Sequence, residues 1–197
     1  KINFLYLIYL NQILISTFTV YLFYTLCKNF FDERFSLFGA LIFSVFPLII
    51  YSNGLISSAC LQLFFYLLFI NLFLKVITNE FNKTDLFFLI LTSALTLFLR
   101  GEFLIIFIFS LAFIIFLDKK KFIHSLLILS FTILLVSPYL IRNYVNTGSI
   151  HLVNVTGYAL WKGNNQLAKV EGFHNSLHPD NRKYWPKNSE FKNLYKK

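Results

Sequence analysis

The sequence predicts an all-α integral membrane protein, with about six transmembrane helices followed by a small mixed external segment. Three observations predict it. Six apolar runs, 2–27, 35–51, 57–74, 86–99, 103–117 and 122–141, approach the length needed to cross a hydrocarbon layer. Hydrophobic residues make up 57% of the chain and charged residues 14%, with a mean hydropathy of +0.64, outside the range of water-soluble domains. From Asn143 onward the character changes to a polar segment rich in Asn and Gly. The expected organisation is a transmembrane helical domain over 1–142 and an external segment over 143–197.

The first three runs are each bounded by short polar connections and read as independent spans. The fourth and fifth are shorter, and only Arg100, Gly101 and Glu102 join them, so they read as a tight hairpin that need not span fully. The sixth carries no charge between His124 and Arg142 and ends in Ser137-Pro138-Tyr139-Leu140-Ile141-Arg142-Asn143-Tyr144. There the chain is expected to leave the membrane. Asn11, Gln12, Gln62 and Asn71 lie inside spans and are read as bonding neighbouring helices rather than a ligand. Cys27 and Cys60 have no partner at metal-ligand spacing and read as packing residues. The 26 Phe residues run together with Ile, Asn and Lys, which points to nucleotide bias rather than to an aromatic function.

Basic residues set the orientation. Lys28 and Arg34, then Lys75 and Lys83, then Lys119, Lys120 and Lys121 occupy alternate connections, which are expected to face the cytoplasm. The net charge of +9 divides between these loops and a basic tail and requires no nucleic acid. Arg100 and Arg142 fall on the opposite side. An arginine at that boundary costs desolvation unless an anion meets it, and its planar fork suits a phosphate. Glu102 is the local partner available to Arg100.

In the tail, Ile150, Leu152, Val153 and Val155 between Gly148 and Gly157 read as a short strand over the membrane surface. Trp161-Lys162-Gly163-Asn164-Asn165 reads as a turn, and His174 and His178 as loop residues rather than metal ligands. The chain opens on Lys1 and contains no Met, so it is expected to be an internal piece of a longer protein.

Three places carry a resemblance to a family: Pro47 through Tyr51-Ser52 to Leu55, the Leu99-Arg100-Gly101-Glu102 junction, and Ser137 to Tyr144 leading to Gly157-Tyr158-Ala159-Leu160-Trp161-Lys162-Gly163-Asn164-Asn165. Together they resemble the polyprenyl-phosphate-sugar-dependent glycosyltransferases of the GT-C type, relatives of protein mannosyltransferases and aminoarabinose transferases. The resemblance implies transfer of a sugar from a polyprenyl-phosphate carrier to a glycolipid, polysaccharide or protein acceptor at the external face of a bacterial inner membrane. It implies that Arg100, Glu102, Arg142, Asn143, Trp161, Gly163, Asn164 and Asn165 meet the donor, with the arginines on its phosphate. The catalytic Asp of such enzymes is thought to lie on an external loop upstream of this chain. No residue here requires a cofactor, although the resemblance allows a divalent metal in the full enzyme. Ser58 stands where relatives often have Glu, and Gln166 where they often have Pro. The other classes weighed are a transporter or flippase subunit for lipid-linked sugars and a non-catalytic membrane scaffold.

Overall fold

The computed structural model describes residues 4–55, 57–78, 80–148, 150 and 152. Internal contacts divide the chain into Lys1–Leu152 and Val153–Lys197, and the architecture below is that of the first unit. It consists of α1 (Phe4–Lys28), α2 (Glu33–Ser44), α3 (Pro47–Gly54), α4 (Ala59–Thr78), α5 (Lys83–Leu99), α6 (Phe103–Leu117), a 3-10 turn (Lys119–Lys121) and α7 (Phe122–Thr147). Among the described residues there is no strand. Of the ribbon expected over 150–155, Ile150 and Leu152 are described and neither is extended into a ladder, while the rest lies outside the described residues.

All six apolar runs are helical, but they do not give six crossings. α1, α4 and α7 are long and apolar enough to span, and α2 with α3 makes a fourth if that bent pair counts as one. The second run breaks because Pro47 has no N–H to continue the α2 ladder and its ring excludes a helical turn before it. Pro47 instead opens α3 at a position where its fixed φ is favourable, and the axes meet at 48°. α5 and α6 have 17 and 15 residues, about 25 and 22 Å of helix, against about 30 Å of hydrocarbon. They form the short hairpin.

The sixth run does not end at Arg142. α7 continues to Thr147, where Gly148 takes the left-handed conformation (φ 72°) and its N–H closes on the Tyr144 carbonyl at 2.8 Å. Glycine occupies that cap because a Cβ is strained at positive φ.

α4 is the central element: it packs on α1 and on α5, and α5 packs in turn on α7. The core runs through Phe69, Leu72 and Val76 of α4, Leu89 and Leu97 of α5, Phe103, Phe107 and Ile114 of α6, and Ile128 and Val136 of α7. α6 buries Phe103, Phe107, Leu111 and Ile114 on one stripe and presents Ile105, Phe109 and Phe116 outward, Phe116 at 84% exposure. An outer surface this apolar suits lipid, not water.

Polar side chains join the helices where hydrocarbon offers no water. Asn71 on α4 donates to the Leu22 carbonyl of α1 at 3.0 Å and accepts from Thr25 at 3.0 Å. Gln12 donates to the Leu55 carbonyl at 2.8 Å, and Asn53 to Ser16 at 2.7 Å. Cys60 is buried with its thiol 3.4 Å from the Gln12 carbonyl, a packing role as expected. Asn11 instead turns back on its own helix, donating to Leu7 at 2.9 Å.

Candidate functional site

The α5–α6 turn is built from three residues. Thr92 and Thr96 are buried on α5, and the Thr96 carbonyl accepts the Arg100 N–H at 2.9 Å, which closes the helix at Arg100 in an extended conformation. Phe103 then begins α6, its N–H on the Arg100 carbonyl at 3.2 Å. Phe103 stacks on Tyr66 (5.5 Å) and meets Phe69 edge-on (4.9 Å). Those partners lie seven and ten residues into α4, so Phe103 packs about two turns or more along that helix from its first residue.

Arg100 and Glu102 approach to 3.7 Å, with side chains 45% and 78% exposed. That distance is an ion pair without a hydrogen bond, and the exposure keeps it weak. The guanidinium therefore retains its donors for another acceptor.

Arg142 stands on α7, exposed, and no acidic group among the described residues pairs with it. Its relation to Arg100 runs through aromatic rings: Phe98 meets Tyr139 edge-on at 5.6 Å. Arg100 is two residues beyond Phe98 and Arg142 three beyond Tyr139. Both arginines thus leave adjacent helices at one end of the bundle and at a similar level. Tyr139 also donates to the Leu152 carbonyl at 3.2 Å, which ties the chain after Gly148 back to α7. Asn143 is half-buried one position on, and its carbonyl accepts from Thr147 at 2.7 Å. Trp161, Gly163, Asn164 and Asn165 lie outside the described residues.

The structure adds a feature that the residue pattern alone does not reveal. A groove of about 810 Å³ opens between α1, α2, α3 and α4, walled by Phe23, Phe43, Phe46, Leu63 and Tyr66. The stacked pair Phe23–Phe43 (4.2 Å, 8°) lines it, together with Gly39 of α2. The signal for it is Pro47, which breaks the second span into α2 and α3 at 48°, with α3 packed on α4. Ser52, Gln62 and the hydroxyl-bearing Tyr66 are its polar lining residues. Ser52 is committed to the Ile49 carbonyl at 2.8 Å, whereas the Gln62 carboxamide makes no hydrogen bond among the described residues. Gln62 therefore departs from the expectation that it bonds a neighbouring helix.

The chemistry available is anion binding by two exposed guanidinium groups, and the α1–α4 helices hold a separate apolar groove. Among the described residues no three His, Cys, Asp or Glu side chains gather as a metal site. Compared with protein-family models, curated proteins and solved structures, the chain matches none of them.

Proposed function

We propose that the chain is part of the membrane domain of a glycosyltransferase that takes a sugar from a polyprenyl-phosphate carrier and passes it to an acceptor at the external face of a bacterial inner membrane. In this reading the basic connections, Lys28 with Arg34, Lys75 with Lys83, and Lys119 to Lys121, face the cytoplasm. The Arg100 turn and the end of α7 then face outward, and the segment 143–197 is external.

The observation that carries the reading is the Phe98–Tyr139 contact, which sets Arg100 and Arg142 on neighbouring helices at one level. The carrier phosphate gains negative charge as the glycosidic bond breaks. Two guanidinium groups waiting at that depth would stabilise it, each by a few kcal/mol at most. Glu102 would hold Arg100 in place between turnovers, and Asn143, Trp161, Gly163, Asn164 and Asn165 would contact the sugar. An upstream carboxylate would take the proton from the acceptor hydroxyl.

The test uses membranes containing the full protein and a radiolabelled polyprenyl-phosphate sugar. Release of label from the polyprenyl-phosphate carrier onto another acceptor, abolished by Arg142→Ala and reduced by Arg100→Lys, supports the reading. Label that crosses the membrane still attached to its carrier identifies a transporter, and label that stays in place a scaffold. Undiminished transfer by Arg142→Ala removes that residue from the site.

A further inference from the structure

A polar side chain inside a membrane protein ordinarily finds a partner, because hydrocarbon supplies none. Gln12 obeys this rule through its amide nitrogen alone, its buried Oε1 having no partner among the described residues, whereas Asn53 and Asn71 obey it, each reaching a group on another element. Gln62 does not: it lies half-buried one turn into α4, lines the groove, and has no hydrogen-bond partner among the described residues. The groove around it has the volume of a ligand site, and no charged residue lines it. Its walls are alkyl and aromatic, and they stand open between helices that the fold exposes to lipid.

We propose that this groove holds one acyl chain of a glycerolipid, with an ester oxygen of that lipid accepting a hydrogen bond from the Gln62 amide. The chemistry selects this occupant. A linear hydrocarbon chain fits a channel walled by Phe23, Phe43 and Phe46, which a water-soluble ligand would leave largely unsatisfied. The absence of any cation in the lining rules against seating a phosphate beside Gln62, whereas a neutral ester carbonyl matches a carboxamide donor. Glycerolipids carry their ester groups just above the acyl chains. Gln62, one turn below the start of α4, stands at the polar end of a site that is otherwise apolar. The proposal does not depend on glycosyl transfer, and the cationic site at Arg100 and Arg142 contributes no residue to it.

The experiment is photolabelling of the purified full chain in detergent, using phosphatidylcholine with a diazirine midway along one acyl chain, followed by peptide mapping. Label is expected to concentrate several-fold on the peptides holding Phe43, Phe46 and Tyr66 over the outward face of α6 at Phe109 and Phe116. Ala59→Phe, which fills the mouth of the groove from α4, should bring it down to the level of α6. Gln62→Leu keeps the volume and removes the donor, and should lower the groove label about two- to tenfold, the worth of one hydrogen bond. Unlabelled phosphatidylcholine should displace the probe and a long-chain polyprenol should not. Uniform labelling of groove and α6, insensitivity to both substitutions, or displacement by the polyprenol but not by phosphatidylcholine would each overturn the assignment.

Discussion

The Ser137 hydroxyl donates a 2.8 Å hydrogen bond to the Leu134 carbonyl, the acceptor that the N–H of residue 138 would occupy were it not proline. A proline inside a helix leaves the carbonyl four residues back empty, and in hydrocarbon no water fills it. Here the preceding serine does so, and α7 passes through Pro138 for nine further residues to Thr147. Arg142 consequently projects from a helix, not from a loop.

Ser137→Ala should destabilise the protein by about 1–3 kcal/mol, because it strands that carbonyl. Pro138→Ala restores the backbone donor, so Ser137→Ala in that background should cost little. Thermal unfolding of the four proteins in one detergent measures the coupling. Equal cost of Ser137→Ala in both backgrounds would show that the hydroxyl does not replace the missing donor.

How far the sequence disclosed this fold depends on which residues decided each feature. The six apolar runs are all helices, since hydropathy averages over many positions and survives local detail. Single residues decided the rest. Pro47 and Pro138 occupy similar apolar settings, yet one breaks a span and the other does not. The difference lies in what satisfies the backbone around each. The hairpin turn at Arg100 was legible because its three residues interrupt an otherwise continuous run. The groove was not, since it requires the relative placement of four helices.

Lys121 is buried at 6% exposure and donates to the Val76 and Ile77 carbonyls of α4 at 2.7 and 2.6 Å. These are among the last four carbonyls of that helix, which have no intrahelical donor, and a cation there also meets the negative end of the dipole. The orientation argument treats Lys119, Lys120 and Lys121 alike, but the structure separates them. Lys121→Met should lower stability by about 1.5–3 kcal/mol, while Lys119→Met and Lys120→Met, both exposed, should stay within about 0.5 kcal/mol. Equal effects of all three in detergent unfolding would contradict the capping role.

Asn71 joins α4 to α1 through the Leu22 carbonyl and the Thr25 hydroxyl. Interhelical hydrogen bonds of this kind couple by about 0.5–2 kcal/mol in membrane proteins. A double-mutant cycle of Asn71→Leu and Thr25→Val, read by unfolding in detergent, should give a coupling in that range. A value near zero would assign the α1–α4 association to apolar packing alone.

The α4–α5 connection is held by Asp85, which accepts the Asn82 N–H at 3.0 Å and the Lys75 ammonium at 2.9 Å. The backbone N–H of Asn82 first, and Lys75 second, hold its carboxyl below the usual carboxylate range. A group whose acidity is strengthened by folding stabilises the folded state above its unfolded pKa, and loses that contribution as pH falls through the lower, folded value. The contribution should therefore be complete at neutral pH and decline below roughly pH 4. Asp85→Asn should lower the melting temperature at pH 7 and narrow the gap to wild type as the medium is acidified below that point. Asn at position 85 keeps an acceptor for the Asn82 N–H but cannot pair with the Lys75 charge, so Lys75→Met should reproduce part of the loss. A gap that is constant from pH 7 to pH 3 would mean that the carboxylate charge contributes nothing at this connection.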